Sequence, residues 1–265
     1  MRPRDHRKER AGRARRIGMS AILMSALLAG CAAVGDETGG GTPTAEVVTP
    51  TEPTCPSLPP GMSGSPLSIA DAVAMANALV QQGAAPLTIP CFVSRLDRPL
   101  TALGVDSTFS LQPGDGRRSP RMFAILGPTK LVLSFAPAGS ASDRIELAEY
   151  PMPLVSIKAE MAFPMSAQIS LAEPYDRIRT GSGTVCGGCH RYEQPAPEVT
   201  VTQAFESGVF KPRPDEVVPV PEMQTQQALC DPQQEPYRCA MFNALFAHGA
   251  VLQGELPADA PTIYE

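Results

Sequence analysis

The sequence has no tryptophan, and aromatic residues make up only 5% of its 265 positions, so any core it builds must be mainly aliphatic. Histidine is almost as scarce, with three residues, His6, His190 and His248. Chemistry that needs an imidazole therefore has two candidates once the N-terminal segment holding His6 is read as an export signal. Long apolar runs are missing as well. The longest, from Ile17 to Ala29, is too short to cross a bilayer comfortably. Glycine and proline, by contrast, number 22 and 29, so much of the chain must be turn or linker, and a long helical bundle is excluded. A hydrophobic content of 43% is enough for a core and excludes wholesale disorder.

Several catalytic patterns are absent too. There is no G-x-S-x-G elbow, no H-E-x-x-H pair and no glycine-rich loop followed by Lys-Ser/Thr, so no enzyme is expected. Residues 1–30 carry eight basic and two acidic side chains, which leaves 14 basic against 25 acidic beyond them and a balance of −11 there. Such a surface repels phosphate backbones, so nucleic acid is not an expected partner. Arg117, Arg118 and Arg121 form the one basic cluster beyond the first segment, beside the turn Gly114-Asp115-Gly116. They read as an anion site or, in the plainer reading, as a solvated loop offsetting neighbouring acids.

Arg13, Arg15 and Arg16 precede the apolar Ile17 to Ala29 stretch, the order of an export signal. The stretch ends in Leu28-Ala29-Gly30-Cys31, which resembles the lipobox of bacterial lipoproteins. That resemblance implies a signal peptide over 1–30, lipid on Cys31, and a membrane partner reached through it. It places the protein in the bacterial cell envelope. Ala32 and Val34 stand where an inner-membrane retention aspartate would be, which points to the outer membrane. From 31 to 66 the composition shifts to Gly, Thr, Pro, Ser and Glu, a flexible tether that cannot bury enough apolar surface to order itself.

Beyond the tether, Ser68-Ile69-Ala70-Asp71 reads as a capped helix start, with Ile69, Val73, Ala76, Leu79 and Val80 on one face and Gly83 as the stop. From Leu87 to about Ser170 the period falls to two. Val105, Ser107, Phe109 and Leu111 alternate with polar residues, as do Val155, Ile157, Ala159, Met161 and Phe163. Arg121 to Leu126 and Lys130 to Ala136, joined by Gly127-Pro128-Thr129, read as a hairpin, with Arg144 to Glu149 as a further strand. The expected class is mostly β with short helices, α+β. A helix plus an antiparallel β-sandwich-like domain is assigned to 67–182, and an irregular, partly helical region to 183–265.

That last region contains Cys186-Gly187-Gly188-Cys189-His190, which is similar to the haem-attachment motif of c-type cytochromes. The resemblance implies one covalent haem c on Cys186 and Cys189, iron ligation by His190, and one-electron transfer with a redox partner protein. A sixth ligand would come from Met223, Met241 or His248, with His248 favoured at the end of a helical run from Pro236, or from elsewhere in the chain, or the position would stay vacant. Arg177, Arg179 or Arg191 would pair with the propionates or stay solvated. The remaining cysteines then form the pairs Cys55 with Cys91 and Cys230 with Cys239. Three other readings of the same residues stay open. In one, all six cysteines beyond Cys31 form disulfides in a structural or binding lipoprotein. In another, zinc is held by Cys186, Cys189 and two of Cys230, Cys239, His190 and His248. The last is a redox dithiol.

Overall fold

The computed structural model describes residues 55–264 apart from Thr108 and Arg191. The signal segment, Cys31 and the tether as far as Thr54 therefore lie outside the described residues. The last part of the stretch read as tether, 55–66, is tied to the fold. Cys55 is disulfide-bonded to Cys91, the Arg95 guanidinium donates to the carbonyls of Cys55 and Pro56, and the hydroxyls of Ser63 and Ser65 donate to Asp97.

Helix α1 (Ile69–Gln82) begins and ends as its sequence predicts. The Ser68 hydroxyl accepts from the Asp71 amide at 3.1 Å, and Gly83 closes the last turn on the Leu79 carbonyl. Its face of Ile69, Ala72, Val73, Met75, Ala76 and Leu79 is buried, each large side chain contributing about 1.5–3 kcal/mol of transfer free energy. A second anchor comes from the sheet: Glu149 accepts from the Ile69 amide at 2.7 Å. Where alternation suggested a first strand after Leu87, the chain forms α2 (Ile89–Ser94), because Thr88 caps it and Pro90 occupies its first turn. The Cys55–Cys91 disulfide thus staples the preceding segment to a helix, not to a strand.

The strands that follow are β1 (Leu100–Val105), β2 (Arg121–Leu126), β3 (Leu131–Phe135), β4 (Arg144–Met152) and β5 (Val155–Ala162), paired antiparallel in sequence order. After α3 (Glu173–Ile178), the two-residue strands β6 (Arg179–Thr180) and β7 (Gly183–Thr184) make a small hairpin. Then come β8 (Gln194–Pro195), β9 (Phe205–Gly208), β10 (Val217–Val218), α4 (Val220–Ala228), α5 (Pro236–Phe246) and β11 (Val251–Gln253). A strand through Ser107, Phe109 and Leu111 does not form. The Ser107 and Ser110 hydroxyls accept from the amides two residues on, turning the backbone, and Phe109 and Leu111 are exposed.

The α+β class expected from the sequence is the one the chain adopts. Its strands, however, connect into one mixed sheet of nine, ordered β10-β1-β2-β3-β4-β5-β9-β8, with β11 parallel to β1, where two facing sheets were expected. No boundary at 182/183 divides this sheet: β9 extends it beyond β5, while β10 and β11 share the outer edge of β1. One face is covered by the helices. There Leu100, Met122, Leu133, Phe135, Ile145 and Met161 pack against α1, α2, α4 and α5. A smaller cluster around Leu103, Ile125, Val132, Tyr150 and Val209 lies on the other face. Among the described residues, no helix is long and apolar enough to cross a membrane.

Candidate functional site

The face away from the helices carries a polar row, because alternate residues of each strand point to it. Arg121 on β2, Ser134 on β3, Glu146 on β4 and Lys158 on β5 line one cleft. Arg121 is held by Glu146 at 2.6 Å and by the Ser134 hydroxyl at 2.6 Å, and its guanidinium lies 4.7 Å over the Phe123 ring. Further along, Glu160 joins Arg144 at 3.4 Å and Arg177 at 3.1 Å. Among the described residues, the Lys158 side chain makes no hydrogen bond and no ion pair, while its backbone is paired with β4 opposite Ala148.

Another wall is the Cys186–His190 segment. Val185–Gly188 form a single 3-10 turn, capped by the Thr184 hydroxyl, which accepts from the Cys186 amide at 3.1 Å. The turn continues until the amides of Cys189 and His190 both meet the Cys186 carbonyl, at 3.0 and 2.8 Å. Glu193 reaches back to fasten it, accepting from the Thr184 amide at 2.8 Å and from the Thr184 hydroxyl. The close return explains a glycine of the motif: a Cβ on Gly187 would lie 2.6 Å from Glu193 Oε2, a carboxylate oxygen already committed to Thr184.

This turn brings Cys186, Cys189 and His190 into the cleft together. Both cysteines are free thiols. Burial, with Glu146 nearby, pushes the Cys186 thiol up to about 11, so it rests protonated, the opposite of an activated redox thiolate. His190 Nδ1 lies 2.8 Å from the Gly208 carbonyl of β9, and its ring stands 5.2 Å from the Phe210 ring. A carbonyl only accepts, so Nδ1 carries the proton and Nε2 keeps its lone pair. Burial, then the Lys158 charge, pulls the imidazole pKa down to about 3, which keeps it neutral near pH 7. Lys158 is itself lowered to about 8, chiefly by burial.

Other sequence-predicted residues lie elsewhere. Met223 and Met241 are fully buried in the core on the helical face. His248 is exposed just past α5 and does not line the cleft, so neither the favoured sixth ligand nor its two alternatives meets His190 there. A helix run that reads as aimed at iron instead packs onto the far side of the sheet. Arg177 is engaged with Glu160 and Arg179 with Asp176 and Thr202, both off the cleft, while Arg191 lies outside the described residues. Cys230 and Cys239 pair with each other, so they are not partners for Cys186 or Cys189 in zinc binding or in crossed disulfides. Among the described residues, no three His, Cys, Asp or Glu side chains gather as a metal site. Arg117 pairs with Asp106 and Glu222, and Arg118 with Glu235, which leaves no anion site in that cluster.

Sequence reasoning missed Lys158, Glu146 and Glu193 as parts of the site, and it grouped Arg121 with Arg117 and Arg118 and not with the Cys186–His190 turn. Charged residues at the polar positions of a strand look like a solvated face, and the one available signal was that so many fall on adjacent strands. No family model, curated protein or solved structure matches the chain.

The donor set suits haem c. Two unpaired thiols spaced by two residues precede an imidazole whose Nδ1 is tied to a carbonyl and whose Nε2 keeps its lone pair, the second-sphere arrangement that orients metal-binding histidines. The cleft beside them has a cavity volume of about 170 Å³ within about 1120 Å³ of empty space that opens to solvent. Phe123, Val209, Phe210, Leu256 and Ile263 give it apolar walls.

Proposed function

We propose that the chain is a lipid-anchored envelope protein carrying one covalently attached c-type haem and passing single electrons to or from a partner protein, without catalysing a reaction of its own. The observation that carries this reading is His190, whose Nδ1 proton is committed to the Gly208 carbonyl and whose Nε2 lone pair is left over, beside two unpaired thiols in the same cleft. When bound, the haem supplies a one-electron iron couple.

The chain's own residues do the rest. Thr184 and Glu193 hold the turn so that both thiols and the imidazole present together. Gly208 fixes the tautomer, and burial keeps His190 from taking up the proton that would abolish its ligand lone pair. The aromatic and aliphatic walls exclude water from one side of the site, which raises the cost of net charge there and so tunes a potential. A cavity of this size would enclose only part of a bound macrocycle. Anchoring rests on the lipobox resemblance of Leu28-Ala29-Gly30-Cys31, with residues 31–54 as spacer.

The test is a pyridine haemochrome spectrum of the mature protein, produced in a host with haem-attachment machinery and extracted with acid-acetone. A c-type α-band should survive extraction and vanish in the Cys186→Ala, Cys189→Ala double variant. A colourless protein from that host would overturn the proposal.

A further inference from the structure

Exposed apolar side chains are ordinary when scattered singly, but a contiguous group marks a contact surface. Four of them meet at the mouth of the cleft. Phe109 is 57% exposed, Leu111 55%, Tyr264 52% and Val185 47%. The Phe109 and Tyr264 rings lie 6.1 Å apart, and Leu111 and Val185 border one narrow recess beside Cys186. Phe109 and Leu111 also line the cleft itself, although more than half of each remains in contact with solvent. Their exposure is not that of a loose loop. The segment between β1 and β2 is fastened to the sheet by Ser110, whose hydroxyl accepts from Arg121, and by the buried Gln112. The Gln112 side-chain amide donates to the carbonyls of Ala141 and Arg144 at 3.0 and 2.9 Å, and its oxygen accepts from the Ser134 hydroxyl at 3.2 Å. Between these ties the Ser107 and Ser110 hydroxyls shape the turn that holds both apolar side chains outward.

A turn facing solvent has no packing need for phenylalanine and leucine, so they present a surface that the fold itself does not cover. What covers it follows from the space beside it. The cavity of about 170 Å³ would enclose only part of a macrocycle attached through Cys186 and Cys189, and the apolar patch continues that cavity outward to Val185, the residue before Cys186. We propose that Phe109 and Leu111, with Val185 beside them, are the contact surface for the part of the haem that the cleft leaves outside. This inference rests on the haem reading. Contact there would remove apolar surface of both the loop and the macrocycle from water, the ordinary driving force for such an association. It would also exclude water from the iron's surroundings, which disfavours the extra positive charge of the oxidised form and so raises the potential.

The experiment uses the mature holoprotein. The haemochrome assay first establishes attachment. Proton NMR of the reduced protein, with carbon monoxide added to make the iron diamagnetic, then reads the Leu111 methyls after triple-resonance assignment. The expected result is that the porphyrin ring current displaces them from the ordinary methyl region. Redox titration should in addition give a lower potential for the Phe109→Ser, Leu111→Ser double variant than for the unsubstituted protein, per attached haem. Leu111 methyls at ordinary positions, or a potential that the double variant leaves unchanged, would each overturn the inference while leaving covalent haem in place. Methyls that move only as the protein is concentrated would assign the patch to a second copy of the chain and overturn it as well. A protein without attached haem overturns the functional reading itself. Should the double variant fail to fold, the methyl shifts of the unsubstituted protein decide alone.

Discussion

Glu193 shows how much of this site depends on a residue that carries no chemistry of its own. Its carboxylate fills the space next to Gly183 and Gly187 and takes both the amide and the hydroxyl of Thr184, a residue only 7% exposed. Glu193→Ala would leave those donors without an acceptor in a poorly hydrated place, at about 1–2 kcal/mol for a half-buried pair of bonds. Urea unfolding should register that loss, and amide exchange at Cys186 should quicken because its Thr184 cap is released. Gly187→Ala should act in the same direction by displacing the carboxylate, whereas Gly188→Ala, where a Cβ meets nothing within 4 Å, should be nearly silent. Equal effects of the two alanines would show that the Glu193 clasp is not what the motif's first glycine serves. The residues Cys186 to His190 were legible because a resemblance of this kind rests on residues contiguous in sequence. Glu193, Lys158 and the Gly208 carbonyl were not, since their roles come from spatial proximity, and a backbone carbonyl leaves no trace in side-chain identity.

At the level of elements, local rules succeeded where the residues that start and stop an element are themselves distinctive. Ser68 with Asp71 marked the start of α1, and Gly127-Pro128-Thr129 marked the β2–β3 turn. Alternation around Phe109 misled because serine hydroxyls at 107 and 110 offered the backbone a turn instead of a ladder, and tertiary pairing gave no reason to refuse it. The Thr88-Ile89-Pro90 start of α2 was overlooked inside an apolar run that suits strand and helix equally. Two disulfides add covalent links to this packing. By the loop-entropy argument, the Cys55–Cys91 link, separated by 36 residues, should stabilise by about 4 kcal/mol, and the Cys230–Cys239 link, separated by 9, by about 2.5 kcal/mol. Replacing each pair by alanines should therefore lower the urea midpoint more for Cys55 and Cys91. That ranking is reinforced because Cys91 sits in the main core and Cys55 packs at its margin. The opposite ranking would mean that the 55–66 segment keeps its place through the Arg95 and Asp97 hydrogen bonds without the covalent link.

For the whole molecule, the deciding feature is that one sheet serves two purposes on its two faces. The helical face is closed by segments far apart in sequence: α1 and α2 from the first part, α4 and α5 from the last. The other face carries a smaller apolar cluster, a row of polar side chains and the Cys186–His190 turn, so the site is built on a floor whose reverse side is the main core. The sequence suggested a separable region beyond residue 182 because composition and periodicity change there, but neither signal reports pairing between distant strands. Gly104 makes the point at one residue: a Cβ there would lie 2.9 Å from Met223 Sδ and 3.0 Å from Val218, so β1 is shaped for partners more than a hundred residues later. A chain ending at Ser182 would lose Met223, Met241, Phe242 and Leu245 from the core and would expose the outer edges of β1 and β5, which β9, β10 and β11 otherwise cover. It should therefore show no cooperative thermal transition by circular dichroism and should elute as aggregate in size exclusion. A monomeric truncated chain that melts cooperatively would instead establish 67–182 as an independent domain. In that case the region beyond residue 182 could be lost without unfolding the rest, and the dependence of the cleft on the sheet beneath it would have to be abandoned.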